Sequence, residues 1–171
     1  MTLSPQEAQN IARMFIAMIE RESECTRRVL AALPEDQLDF KLGEKGRTAK
    51  ELAWHLAESE PWFAEGIATG DFESWTAQPV PDTVAAMVAW YDRNVPAAIA
   101  RMKELPSEHM AKAAPFFGMP PMPLAMYLEF WKVHSIHHRG QLSTYLRAMN
   151  ARVPDIYGGS ADEPYQAPAS A

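Results

Sequence analysis

The chain alternates between long stretches in which apolar residues recur every three or four positions and shorter stretches rich in proline, glycine and charge. Such recurrence is typical of the buried face of an amphipathic α-helix, and four segments show it. The first predicted helix begins at Ser4, because Pro5 suits a first helical turn and Glu7 completes a capping box. The pattern ends at Pro34. Its apolar positions are Ile11, Met14, Phe15, Met18, Cys25 and Val29.

A second capping box, formed by Thr48 and Glu51, predicts the start of the second helix. Pro61 lies inside the following pattern, which allows a kink or a break near Glu60. Gly70 marks the predicted end of this helix. The positions on its inward stripe are Leu52, His55, Leu56, Ser59, Phe63 and Ile67.

Two further helices are predicted in the second half of the chain. Asp82 is the predicted N-cap of the third, and Pro96 threatens a bend in it. The proline-rich stretch 106–123 predicts a loop. The fourth helix runs from Leu124 to Met149 without a proline. Its inward stripe contains Tyr127, Trp131, His134, His138, Leu142, Tyr145 and Met149.

These patterns predict an all-α protein, an antiparallel four-helix bundle forming a single domain over residues 1–171. From about residue 151 the sequence is rich in turn residues. We expect this tail to pack partly over the bundle and then fray.

Composition narrows the function classes. The net charge of −6 gives no electrostatic footprint for a nucleic-acid partner. The single cysteine, Cys25, fits a reducing compartment, and no segment resembles a secretory signal or a membrane helix. We therefore expect a cytoplasmic protein without a nucleic-acid or membrane partner.

The histidines provide the main candidate chemistry. His134 and His138 stand four positions apart, so two imidazoles can converge on one ion. His137 points about 100° away from each of them. His55 lies on the inward stripe of the second helix and can supply a third nitrogen if the two helices are neighbours. A buried imidazole can also be an ordinary hydrogen-bonded core residue, and the spacing leaves both interpretations open.

Other residues near these histidines are weaker candidates. Glu58, one turn after His55, could orient a ligand or relay a proton, or it could be a solvated surface charge. Arg139 and Gln141 could serve the site or fix loops and the tail. Gly140 predicts a close backbone approach, since glycine is costly inside a helix. The aromatic residues expected to line a pocket are Trp54, Tyr127 and Trp131.

Three motifs resemble those of the DinB-like damage-inducible proteins. HSIHHRGQLSTYLR, residues 134–147, resembles the last-helix signature of that family. ELAWHLAESE, residues 51–60, is similar to its second-helix motif, and VPDIYGGSADE, residues 153–163, looks like a common tail.

The resemblance implies a four-helix bundle with up-up-down-down connectivity, often assembled as a homodimer. It implies a divalent metal, commonly nickel or zinc, held by His55, His134 and His138. The name of the family reflects induction by DNA damage and does not imply DNA binding. The wider superfamily includes transferases that use mycothiol or bacillithiol, as well as metal-dependent isomerases and hydrolases.

Two kinds of function follow. An enzyme would use the metal to activate a low-molecular-weight thiol for conjugation to a small electrophilic substrate. A hydrolase is a variant of this hypothesis, with Glu58 as the candidate general base. In the alternative, the protein is not catalytic, and the metal stabilises the bundle or an interaction module in a stress response.

Overall fold

The computed structural model describes residues 2–166, and most of them are helical. Among these residues, four of the five α-helices are long, and the remaining one has a single turn. The helices are α1 (Pro5–Ala31), α2 (Ala49–Thr69), α3 (Val84–Glu104), α4 (Ser107–Met110) and α5 (Tyr127–Ala148). None of the helices in the described part of the chain is long and apolar enough to cross a bilayer.

The two predicted capping boxes are present. The hydroxyl of Ser4 accepts the backbone N–H of Glu7, whose carboxylate accepts the N–H of Ser4 in return. Thr48 and Glu51 do the same at the start of α2. The predicted N-cap Asp82 is wrong by one position. Thr83 caps α3 instead, since its hydroxyl accepts the backbone N–H of Ala86 (3.1 Å).

The two internal prolines do not end their helices. Pro61 lies within α2 and Pro96 within α3, and both helices continue on either side. The break considered near Glu60 is therefore absent. Most of the inward stripe predicted for α2 and for α5 is buried, but the stripe predicted for α1 is wrong in part, since Met14 and Met18 are 48% and 39% exposed. Packing of the buried faces outweighs the hydrogen bond that each proline removes.

Each long helix packs against two of the other long helices. Helix α1 packs against α3 and α5, and α2 packs against the same two helices. Residue numbers run in opposite directions along α1 and α3 and along α2 and α5. They run in the same direction along α2 and α3 and along α1 and α5. The contacts that show this are Glu20–Lys103, Arg27–Asp92, His55–His138, Ser59–His134, Trp54–Trp90, Glu65–Arg101, Phe15–Lys132 and Glu22–Arg139.

The long helices therefore run up, down, down and up in chain order. The four-helix bundle is confirmed, but the implied up-up-down-down connectivity is wrong. The antiparallel arrangement holds for two of the four neighbouring pairs. The physical reason is the connection between α2 and α3, which returns along the bundle before α3 begins, so both helices start at the same end.

We call this connection, residues 70–83, the strap. It runs along the outside of α2 in the opposite direction to that helix. The indole N–H of Trp62 donates to the carbonyl of Phe72 (3.2 Å), and that of Trp54 donates to the carbonyl of Gln78 (3.3 Å). Two tryptophans of α2 thus hold the strap by its backbone.

The proline-rich stretch predicted as a loop is partly ordered. After α4, strands β1 (Ala113–Phe116) and β2 (Met119–Pro123) form an antiparallel hairpin. Its turn residues, Phe117 and Gly118, both have positive φ, as in the tight turns that suit twisted strands. A two-stranded hairpin has two open edges, so the prolines of β2 can occupy it although they lack an N–H.

The described part of the tail packs on α1, as predicted. Arg28 donates to the carbonyl of Asp155 (3.0 Å) and pairs with Glu163. The hydroxyl of Tyr157 donates to the carboxylate of Glu22 (2.6 Å). The expectation that the chain end frays falls on residues 167–171, which lie outside the described residues.

Candidate metal centre

Three histidines from two helices converge between α2 and α5. His55 lies in the second turn of α2, and His134 and His138 lie one turn apart on α5. One ligand atom from each histidine lies within 4.8 Å of the others. The Nε2 atoms of His55 and His138 are 3.2 Å apart. Two nitrogens bound to one zinc ion lie about 3.0–3.4 Å apart, so these rings stand at the separation of a ligand pair.

Neighbouring side chains orient two of the rings. The side-chain oxygen of Gln141 lies 2.8 Å from Nδ1 of His138, which must carry the proton because that oxygen can only accept. The hydroxyl of Ser59 donates to the carbonyl of Leu56 (2.9 Å) and lies 3.2 Å from Nδ1 of His134. It therefore accepts the proton of that ring. Both Nε2 atoms keep their lone pairs, which is the tautomer that a metal requires.

The three histidines of the cluster are uncharged at neutral pH. Burial lowers the pKa of His55 to about 4 and that of His134 to about 3. It also lowers the pKa of His138. The guanidinium of Arg47 adds to this effect at all three rings, because a nearby positive charge disfavours a second one. A metal would not have to displace protons from these nitrogens.

The donor set suits a divalent metal of intermediate softness. Neutral imidazole is accepted by zinc, nickel and iron(II), and three protein ligands leave room for a further ligand. Within residues 2–166 this is the one group of three or more potential ligand residues at such distances. The three predicted residues can therefore hold a metal ion, while its identity stays a prediction.

The remaining histidines and the cysteine lie outside this group. His137 is exposed, and its Nε2 lies 3.1 Å from the side-chain nitrogen of Gln141. The Nε2 of His109 lies 2.9 Å from the carbonyl of Ile67. Cys25 lies under the tail, with its sulfur 3.8 Å from the carbonyl of Ile156. These contacts are structural.

Two cavities flank the histidine cluster. One, of about 390 Å³, is lined by residues that include Leu42, Gly46, Arg47, His138, Gln141 and Tyr145. We call it the Arg47 cavity. The other, of about 350 Å³, is lined by residues that include His55, Trp62, Phe63, Trp75, Phe116 and His134. We call it the aromatic cavity. Both are of the size that holds a small ligand.

The pocket residues expected from the sequence are corrected by the structure. Trp54, Tyr127 and Trp131 are at most 4% exposed and belong to the core. The aromatic lining comes instead from the middle of α2, the strap and the hairpin, through residues such as Trp75 and Phe116. The strap and the hairpin have no helical periodicity, so periodicity could not predict that these two aromatic residues approach the histidines.

The half-buried carboxylate of Glu58 is engaged in hydrogen bonds with the strap. Its Oε1 accepts the indole N–H of Trp75 (3.1 Å) and the backbone N–H of Gln78 (2.5 Å), so it fastens the strap to α2. The interpretation as a solvated surface charge is therefore wrong. Glu58 also lines the aromatic cavity beside His55. A catalytic role for it stays a prediction.

Arg139 and Gly140 have separate explanations. Arg139 is 1% exposed and donates to the carbonyl of Glu22 (3.0 Å) and to the hydroxyl of Tyr157, so it ties α5 to α1 and the tail. A Cβ at Gly140 would meet nothing within 4 Å. The close backbone approach predicted for this glycine is therefore wrong within the described chain.

The comparisons with known proteins agree with this fold. Residues 7–167 match the family model described as the DinB family. YrdA, an uncharacterized protein of Bacillus subtilis, is 27% identical over 154 residues, which cover 87% of this chain and 89% of YrdA. A DinB-like protein from Bacillus cereus has a crystal structure with a TM-score of 0.72 and 27% identity, covering 84% of this chain and 95% of that one.

A second solved structure, the DinB-like protein YjoA of Bacillus subtilis, has a TM-score of 0.69 at 19% identity. It covers 88% of this chain and 99% of YjoA, and at that identity it supports the fold alone. The class of protein defined by the fold and the site is thus a helical bundle whose three histidines can bind a metal. The chain belongs to the DinB family.

Proposed function

We propose that the protein is a metal-dependent transferase that joins a low-molecular-weight thiol to an electrophile, with His55, His134 and His138 holding a zinc or nickel ion. The observation that carries this proposal is a group of three uncharged imidazoles with a cavity on each side. A divalent cation in such a site supplies a positive charge that lowers the pKa of a thiol.

The protein's own residues would bind and orient the reactants. Gln141 and Ser59 hold the imidazoles of His138 and His134 in the ligating tautomer. The walls of the aromatic cavity suit an apolar electrophile and reduce its contact with water. In the overall reaction an S–C bond forms, the S–H bond and the bond to the leaving group break, and the proton and leaving group enter solvent.

Thiol transfer can be measured on protein purified without a histidine tag. Zinc- or nickel-loaded protein is incubated with a panel of thiols and monochlorobimane, and the fluorescent conjugate is followed. His138→Ala should abolish the protein-dependent rate. His137→Ala is the matched control, since His137 is the exposed neighbour outside the cluster, and it should retain the rate. Equal rates in the two variants would contradict the proposal.

A non-catalytic role is the second candidate, and one observation favours it. The three histidines come from two different helices, so a metal would crosslink α2 to α5 and stabilise the folded state alone. Under this alternative, chelation lowers the melting temperature strongly, and no thiol or ester substrate is turned over. Turnover that disappears with His138→Ala would exclude it.

Hydrolysis is the lesser enzymatic variant. It needs a general base, and Glu58 is the carboxylate that lines the aromatic cavity. This carboxylate already accepts two hydrogen bonds from the strap, so it serves a structural purpose without any reaction. Hydrolysis of a model ester that is lost in Glu58→Gln, in a variant with unchanged melting temperature, would favour this variant over thiol transfer.

The proposals about partners and location rest on the sequence. The family resemblance supports a homodimer, which light scattering on the eluted protein can test. The net charge of −6 argues against a nucleic-acid partner, and the single cysteine supports a cytoplasmic location. The small-molecule substrate remains to be found by the thiol panel.

A further inference from the structure

The Arg47 cavity opens beside one edge of the histidine cluster. His138 forms part of its wall, so a ligand in this cavity can reach toward the cluster. The remaining lining is neutral apart from Arg47, and none of the residues that line it carries a carboxylate. The cavity therefore has a single fixed charge, and that charge is positive.

The backbone that carries Arg47 is held in place. The hydroxyl of Tyr145, on α5, donates to the carbonyl of Arg47 (2.9 Å). An isolated β-bridge pairs Lys41 with Thr48, the residue that follows Arg47 and caps α2. At Gly46, an added Cβ would lie 3.0 Å from the hydroxyl of Tyr145, so the chain passes very close to α5 there.

The guanidinium of Arg47 has no acidic partner in the described part of the chain. Arg47 is exposed, and its side chain takes part in none of the salt bridges among residues 2–166. The carboxylate of Glu51, in the first turn of α2, is engaged in the capping box with Thr48. An arginine placed this way carries donors that suit the two oxygens of a carboxylate.

We infer that the Arg47 cavity recognises an anionic group of the ligand that binds at the histidine cluster, and that this group is a carboxylate held by Arg47. The inference rests on the proposed function and adds the substrate class. The thiol used by this protein carries a carboxylate, which lies in the Arg47 cavity, and the aromatic cavity on the other side takes the electrophile.

The test uses full-length protein loaded with cobalt(II), whose sulfur-to-metal absorption reports thiol binding. Mercaptosuccinate is the probe with carboxylates, and 2-mercaptoethanol is the neutral probe. Arg47→Gln should weaken mercaptosuccinate about tenfold or more, the size expected for a lost charge-assisted hydrogen bond. It should leave 2-mercaptoethanol unchanged. Lys45→Gln is the matched control, since Lys45 is exposed and does not line the cavity, and it should change neither.

Two further measurements keep the outcomes distinct. Arg47→Lys retains the charge but loses the paired donors, so it should recover part of the mercaptosuccinate affinity. If no thiol produces the absorption in the unmodified protein, the proposed function fails. The carboxylate inference is then tested separately by calorimetry with malonate on the same cobalt protein.

Weaker malonate binding in Arg47→Gln than in Lys45→Gln would support the carboxylate site even without thiol chemistry. The inference is overturned if Arg47→Gln binds mercaptosuccinate and malonate as the unmodified protein does. It is also overturned if the variant loses affinity equally for mercaptosuccinate and 2-mercaptoethanol, because that pattern indicates damage to the metal centre.

Discussion

Glu60 provides a sharp test of the packing in the bundle, because it is a carboxyl group in the core. It is 1% exposed, and its Oε2 accepts the hydroxyl of Tyr91 (3.0 Å). Its Oε1 has no hydrogen-bond partner among the described residues. Ser135 and Trp131 lie near enough to lower its pKa, but neither makes a hydrogen bond of good geometry with it.

Burial outweighs these contacts and raises the pKa of Glu60 from 4.5 to about 7. Between these values the folded protein keeps the proton while the unfolded chain releases it. The contribution of Glu60 to stability is thus fully present below pH 4.5 and is lost as the pH rises through 7. The shift corresponds to roughly 3 kcal/mol of unfolding free energy between the two limits.

Replacing Glu60 by glutamine removes the titration and keeps the shape. At pH 5 the unfolding free energies of the two proteins, measured in urea, should differ little. At pH 8 Glu60→Gln should be more stable by about 2–3 kcal/mol, since it no longer buries a charge. The pKa values of His55 and His134 are also lowered, so their titration makes both proteins less stable as the pH drops below 6.5. This contribution cancels when the unfolding free energy of the unmodified protein is subtracted from that of Glu60→Gln at each pH.

Glu44→Gln, at an exposed turn position, is the matched control and should show no such pH-dependent difference. If the difference between Glu60→Gln and the unmodified protein is the same at pH 5 and pH 8, then Glu60 is not buried as a neutral acid. The packing described around Glu60 would then be wrong.

Two other predictions concern the strap and the metal. Gly66→Ala places a Cβ 2.2 Å from a ring carbon of Phe72 and should cost about 1–3 kcal/mol in urea unfolding. The control Gly140→Ala, with open space around it, should instead stabilise by about 1 kcal/mol, and equal effects would contradict the packing of the strap. Because burial lowers the pKa of all three imidazoles, to about 4 at His55 and to about 3 at His134, the loss of metal affinity on acidification should begin below pH 6.5, the ordinary value for histidine. A chromophoric chelator measures this, and a steep loss starting near pH 6.5 would show that the imidazoles are not buried.

Local chemistry made the starts of α1 and α2 predictable from the sequence. A capping box such as Ser4 with Glu7 needs only residues three positions apart, so no knowledge of the tertiary fold is required. The positions of the three histidines followed in the same way from helical periodicity. Inward-facing residues of two neighbouring helices meet when they also lie at the same level along the bundle, as His55 and His138 do.

The relative directions of the helices and the structure of the non-helical segments could not be predicted from periodicity. Periodicity shows which face of α2 is buried but not whether its neighbour runs parallel, and the strap that decides this has no repeating pattern. For the same reason Trp75, in the strap, and Phe116, in the hairpin, were missed as cavity residues. Arg47 was missed because it precedes the N-cap of α2 and belongs to no stripe.

The proposal that His55, His134 and His138 together bind one divalent ion can be measured directly. Untagged protein and its variants should be exchanged into metal-free buffer, loaded with zinc, and examined by elemental analysis and X-ray absorption. We expect one zinc ion per chain in the unmodified protein and in His137→Ala, with three imidazole nitrogens at about 2.0–2.1 Å. His138→Ala should retain far less. If the folded protein takes up no metal, or if His137→Ala and His138→Ala retain equal amounts, the three histidines do not form a shared metal site.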